Sequence, residues 1–338
     1  MARKLYLHVG HGKTGSSYIQ SVLVMNIEAL AAAGIYYPTT EKISEAAGGG
    51  ISSGNGRLLI DGAPSARKIP DTAHSVLFSG ESLFAPRFRK KFLAAVSQRR
   101  DAKLFDEFYI LLFIRNPIEH LSSTYQQGIK RQGFTKPIDI IARSYAHPEK
   151  VRQFLELMQG AFGAKVTIRN YSVIKHSVLQ ATTDWLGIDG TRLRVPDVKQ
   201  VNRSMTFGEL VLLQSLNEVS SSFGGKLLAD RLCEELPDIK SDTVRPTLQA
   251  QQQLWKRLRP AIDRVNAMMD DPEHHYQRDI AAGIAPSDQE FRFSRSQLQV
   301  IARALGGEIK SLREEKSIRF AASWIVNRLK FHLFGGKL

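Results

Sequence analysis

The run Phe108-Tyr-Ile-Leu-Leu-Phe-Ile114 constrains the fold more than any other feature of the chain. Seven successive apolar residues leave a strand no polar side, so both of its faces must be covered. That is the pattern of a central strand in a parallel sheet with helices on each face. A chain of 338 residues can bury such a layered core. Shorter strands are expected at 4–9, 75–79 and 165–169. Ile19, Leu23, Ile27 and Leu30 recur at helical spacing, which predicts one helix from Ser16 or Ser17 to Gly34. A basic helix is expected over 88–100, another begins at Pro117, and Ser177–Leu186 is helical and ended by Gly187.

From Thr206 onward the pattern is almost wholly helical. Leu210, Leu213 and Leu216 mark one segment, and Leu227–Leu236, Leu254–Met269 and 296–334 mark three more. The expected organisation is an α/β core over 1–200 and a helical C-terminal extension over 201–338. Between the first helix and the second main strand, residues 41–72 include a glycine-rich stretch from Ala46 to Gly56. Such a stretch is a disordered insert or a functional lid, and a lid is preferred.

Net charge is +14, which suits an anionic partner: a nucleotide, a nucleic acid, an acidic glycan or an anionic membrane. Charge that merely keeps the chain soluble would look the same. Cys233 is the only cysteine, so an intramolecular disulfide and a cysteine-rich metal site are both excluded. The sequence begins directly on a strand pattern, and no signal peptide or spanning segment is evident. The expectation is a cytoplasmic protein.

Two strings carry chemistry. The first, His11-Gly12-Lys13-Thr14-Gly15-Ser16-Ser17, lies between a strand and a helix. Glycines let the backbone turn tightly and aim N–H groups at an anion, and a helix N-terminus adds partial positive charge. Lys13 adds a full charge, and the three hydroxyls add donors. A Walker loop would need glycine at position 7, where the chain has Leu7. The second string runs from Arg115-Asn116-Pro117 to Ser123-Thr124-Tyr125, directly after the central strand. It places Arg115 at a strand's C-terminal end, where open α/β sheets bind ligands. Ser123 follows two turns along a helix, so the two side chains can hold one phosphate.

Together these strings resemble the two nucleotide motifs of the sulfotransferases that use 3′-phosphoadenosine 5′-phosphosulfate (PAPS), in the form seen in carbohydrate sulfotransferases. The likeness extends to about residue 190, where Lys165–Tyr171 and Asp184-Trp185-Leu186-Gly187 are similar to later family elements. It implies a P-loop-type central parallel sheet flanked by helices. It also implies that Lys13, Thr14, Gly15, Ser16 and Ser17 hold the 5′-phosphosulfate, and that Arg115 and Ser123 hold the 3′-phosphate. Lys13 would follow the bridging oxygen as the S–O bond breaks. The product would be adenosine 3′,5′-bisphosphate, with no metal required. No histidine or cysteine group stands at ligand spacing, and His274-His275 read as a solvated pair.

The base that deprotonates the acceptor is Glu81 or His11, with His74 at the wrong end of its strand. Arg203 is a further candidate phosphate ligand. The acceptor class is a saccharide or glycolipid. Two alternatives stay open: a small-molecule kinase with a degenerate loop, and a non-catalytic polyanion-binding protein. No interleaving of aromatic and basic residues indicates nucleic acid. Residues 318–334 mix Trp324, Ile325, Leu329 and Phe331 with Arg319, Arg328 and Lys330. This basic amphipathic helix either docks on protein, the favoured reading, or lies on the inner membrane face.

Overall fold

The computed structural model describes residues 3–40, 54–62, 69–196, 203–220, 222–283 and 292–334. Five strands form one sheet: β1 (Lys4–Gly10), β2 (Ile35–Tyr36), β3 (Ser75–Ser79), β4 (Glu107–Ile114) and β5 (Lys165–Asn170). Their order is β2-β3-β1-β4-β5, and every pairing is parallel. The helices of the first part of the chain are α1 (Ser16–Met25), α2 (Ile27–Ala32), α3 (Gly56–Ile60), α4 (Arg89–Asp101), α5 (Pro117–Gln132), α6 (Ile138–Ser144), α7 (His147–Phe162), α8 (Tyr171–Ile174) and α9 (Val178–Leu186). Then follow α10 (Phe207–Ser220), α11 (Ser222–Glu235), α12 (Leu248–Asn266) and α13 (Arg295–Phe334).

The expected α/β class is therefore present, with the long apolar run as β4. Register explains how that strand buries both faces. Tyr6, Leu77 and Tyr109 lie side by side across β1, β3 and β4. Tyr6, Leu77, Leu111 and Phe113 pack in one cluster with Ile19 and Leu23 of α1, Leu30 of α2 and Leu186 of α9. Leu5, Leu7, Val76, Phe78, Ile110 and Leu112 are one residue out of phase and so face the opposite layer, where all are fully buried. Each such side chain contributes about 1.5–3 kcal/mol when removed from water.

The chain divides into two compact units. Met1–Thr124, Pro137–Val198 and Arg245–Ala285 make the first, which holds the sheet; Tyr125–Lys136, Lys199–Val244 and Pro286–Leu338 make the second. Helix α12 belongs to the first unit and packs on α7 and α6. The second unit is helical, and α10, α11 and α13 pack in sequence.

The single helix expected from Ser16 to Gly34 is two. Asn26 breaks it with a non-helical backbone (φ −121°, ψ 30°). Its amide donates to the Val22 and Arg194 carbonyls, and its oxygen accepts from Arg194 N. Asn26 spends its side chain on these bonds in place of extending the helix. Of the expected lid region 41–72, residues 41–53 and 63–68 lie outside the described residues, and α3 lies between them. No described helix is long and apolar enough to cross a membrane. α13 is one continuous helix, and the apolar face expected at 318–334 rests on side chains outside the described ones.

Candidate active site

Because all five strands point the same way, their C-terminal ends share one edge. Gly10 leads there into the loop with His11 and Lys13, Ser79 into Gly80-Glu81, and Ile114 into Arg115. This edge is where ligands of open parallel sheets bind. The two sequence motifs meet on it. Arg115 Nη1 donates to the Lys13 carbonyl at 3.0 Å, and Arg115 Nη2 donates to Glu119 Oε1 at 2.8 Å.

The loop is tight for local reasons. Gly12 and Lys13 both take left-handed backbone (φ 80° and 57°), which is cheap for glycine and costly for lysine. At Gly10 a Cβ would overlap the Ser16 hydroxyl, so only glycine allows α1 to start so close to β1. Thr14 is fully buried with its hydroxyl 3.5 Å from that of Ser16, whereas Ser17 is exposed. α1 has no side-chain cap, so its first amides are left for another acceptor.

Glu119 anchors the second motif. Its carboxylate accepts from Lys175 Nζ at 2.7 Å, from the Ser172 hydroxyl at 2.6 Å and from Arg115. Burial pushes its carboxyl up, but these three donors outweigh burial and hold it down to about 2. Asn116 is fixed too, its main-chain N–H donating to the Ser172 hydroxyl and its side-chain oxygen accepting from the Asn170 side-chain amide and the Gln277 main-chain N–H. Ser123 is half-buried, one helical turn beyond Glu119.

An open cleft of about 260 Å³ lies beside the loop, lined by His11, Glu81, Ser82, Phe84, Ala85 and Arg87. It brings together both candidate bases. Glu81 keeps contact with solvent and stands by Gly12. Surrounding protein raises its carboxyl above the usual range, and the nearby Lys13 charge partly offsets this. His11 is arranged differently. Its Nδ1 lies 3.2 Å from the Gly12 carbonyl, and its Nε2 is buried without a hydrogen-bond partner. Burial holds the ring down to about 4, so it is neutral at pH 7. His74 is exposed at the opposite edge, before β3.

Three sequence-based expectations need correction. Arg203 has no donor left for a phosphate. It is buried, with Nε on the Leu236 carbonyl, Nη1 on Ser204 O and Glu209 Oε2, and Nη2 on Glu209 Oε1 and Leu232 O. His274 and His275 are not a solvated pair. His274 Nδ1 accepts from Asn170 N at 3.4 Å, and the His275 carbonyl accepts from the Asn170 amide at 2.8 Å. Histidines do gather, through tertiary structure instead of sequence spacing: His11, His120 and His147 each place a ring nitrogen within 4.8 Å of the others. Sequence reading gave no role to His120, His147 or Glu119, although two of them sit inside the second motif.

No protein-family model matches the chain, and no curated protein matches it significantly.

Proposed function

We propose that the chain is a PAPS-dependent sulfotransferase acting on a hydroxyl or amine acceptor, with a saccharide or glycolipid as the acceptor class. The observation that carries the reading is the 3.0 Å bond from Arg115 to the Lys13 carbonyl. It joins the two motifs, distant in sequence, at the ligand-binding edge of a parallel sheet. The sheet is of P-loop type in this reading, and the loop's amides, hydroxyls and Lys13 hold the 5′-phosphosulfate. Arg115 and Ser123 take the 3′-phosphate, with Glu119 fixing the guanidinium.

The acceptor enters the cleft beside Glu81. Its oxygen or nitrogen attacks sulfur while the bond from sulfur to the 5′-phosphate oxygen breaks. Glu81 takes the acceptor's proton, and Lys13 neutralises the charge that builds on the leaving oxygen. One well-placed donor of this kind is worth ~3–4 kcal/mol of barrier. The carboxyl's raised proton affinity suits it to that task. His11 is the weaker candidate for base, since its lone-pair nitrogen is turned into the protein.

Calorimetry with adenosine 3′,5′-bisphosphate and turnover of labelled PAPS over a panel of saccharide and glycolipid acceptors test the assignment. Binding of the bisphosphate without magnesium, with label transferred to an acceptor, supports it. Preference for ATP with magnesium and no transfer from PAPS overturns it.

A further inference from the structure

The three histidines come from three separate elements. His11 follows β1 in the loop, His120 is in the first turn of α5, and His147 opens α7. All three lie in the first compact unit. Their ring centroids are 4.7 Å apart (His11–His120), 4.2 Å (His11–His147) and 4.4 Å (His120–His147). The Nε2 atoms of all three are buried and lack hydrogen-bond partners. A buried polar atom in a folded protein nearly always has a partner, and three orphans within one cluster of rings call for a common explanation.

We propose that His11, His120 and His147 form a binding site for one divalent transition-metal ion, with zinc the best match. Imidazole donors suit zinc, copper, nickel or iron and not magnesium or calcium. The outer ring nitrogens support this use. His11 Nδ1 is placed to donate to the Gly12 carbonyl, and His120 Nδ1 meets the Tyr145 hydroxyl at 2.8 Å. A ligating histidine typically donates its other nitrogen to such a group, which fixes tautomer and ring orientation. Nitrogen atoms bound at about 2.0–2.1 Å to one ion lie closer together than 4.8 Å, so small ring rotations close the site.

Nearby cations oppose a metal ion, but Lys150 beside His147 is exposed to solvent and the other two have carboxylates close by. Arg115 is paired with Glu119 at 2.8 Å, and Glu81 stands within electrostatic reach of Lys13. Three protein ligands leave a fourth position for water or a substrate atom, as in catalytic zinc centres. A metal here would also tie the loop at His11 to α5 and α7, and so hold Lys13 in its left-handed turn. The proposal stands apart from the sulfotransferase reading, since none of these histidines is needed to recognise PAPS.

The test uses the full-length chain without an affinity tag, stripped with chelator and shown to be folded by circular dichroism. Titration with Zn²⁺ should give one site per chain and raise the thermal transition. Co²⁺ should give the intense visible bands of a four- or five-coordinate nitrogen site. His120→Ala and His147→Ala should abolish both signals while keeping the circular dichroism spectrum. Tyr145→Phe, which removes only the outer partner, should weaken binding about 10- to 100-fold. Should the histidine variants not fold, the Co²⁺ spectrum of the unaltered chain and the Tyr145→Phe affinity still decide. No binding by the folded chain, a weak octahedral cobalt spectrum, or binding unchanged in folded variants would overturn the proposal. Because metal uptake is read without turnover, its failure is distinct from failure to use PAPS.

Discussion

The guanidinium of Arg115 reaches the main-chain carbonyl of Lys13, so the second motif holds the first in shape through a 3.0 Å bond. Arg115 thus has two tasks in the proposed mechanism, binding the nucleotide and bracing the loop. Arg115→Ala should weaken adenosine 3′,5′-bisphosphate binding by ~1.5–3 kcal/mol, the worth of a hydrogen bond to a charged group. Ser123→Ala should weaken it less, because it leaves the Arg115 bond to the Lys13 carbonyl in place. Calorimetry on both variants checks this, and unchanged affinity in Arg115→Ala refutes the 3′-phosphate assignment.

Glu81 gives a prediction in pH. A base must be ionised to accept a proton, and burial raises this carboxyl above the ordinary glutamate value of ~4.3. Turnover with PAPS should therefore fall on the acid side along a limb displaced upward from that value. Glu81→Gln should lower kcat ~10²–10⁴-fold while leaving donor affinity intact. It should also erase the acid limb from what activity remains. A retained limb in the Gln variant would move the base elsewhere.

Much of the sheet was legible because its strands carry local signals. The β4 run is apolar on both faces, and Gly187 ends α9 in the left-handed conformation (φ 69°) that the sequence suggests. What escaped depends on tertiary partners. Nothing local in Asn26 says that its side chain will bond Arg194, far along the chain, and break a helix whose apolar spacing continues through it. Arg203 looked like a phosphate ligand because a basic residue before a helix has that appearance in sequence. Its partner Glu209 lies only six residues on, but the carbonyls of Leu232 and Leu236 that also take its donors do not show in the pattern. The three histidines are likewise joined only by the convergence of strand ends and helix starts.

The Arg203–Glu209 pair gives a stability prediction for the second unit. The contacts are 2.6 and 2.8 Å, and Gln297 and the Thr206 amide complete the carboxylate's bonding at 2.9 Å each. Removing one partner of such a buried pair costs ~3–5 kcal/mol, so Glu209→Ala should lower the denaturant midpoint strongly. Burial alone would raise the Glu209 carboxyl, but its donors, Arg203 first, lower it overall. A lowered folded value means that the pair's full contribution is present above the unfolded value of ~4.3 and is lost as pH falls through the folded one. Urea titrations from pH 7 down to pH 3 should show this loss in the unaltered chain and a flatter dependence in Glu209→Gln. Arg203→Lys should destabilise the second unit yet leave bisphosphate affinity unchanged; a marked drop in affinity would restore Arg203 as a ligand.

Lys13 combines charge and strained backbone in one residue, and two substitutions separate them. Its φ of 57° costs an ordinary L-residue about 1–2 kcal/mol, a penalty that glycine escapes. Lys13→Ala removes the amine and keeps the penalty, whereas Lys13→Gly removes both. If the amine serves the leaving group, both variants should lose turnover to a similar extent. Their stabilities should differ, with Lys13→Gly the more stable by up to about 1 kcal/mol, because glycine's greater freedom in the unfolded chain takes back part of the gain. Thermal or urea unfolding beside a PAPS turnover assay reads both quantities. Activity that survives in Lys13→Gly but not in Lys13→Ala would mean that the loop's shape, and not the lysine charge, drives the reaction.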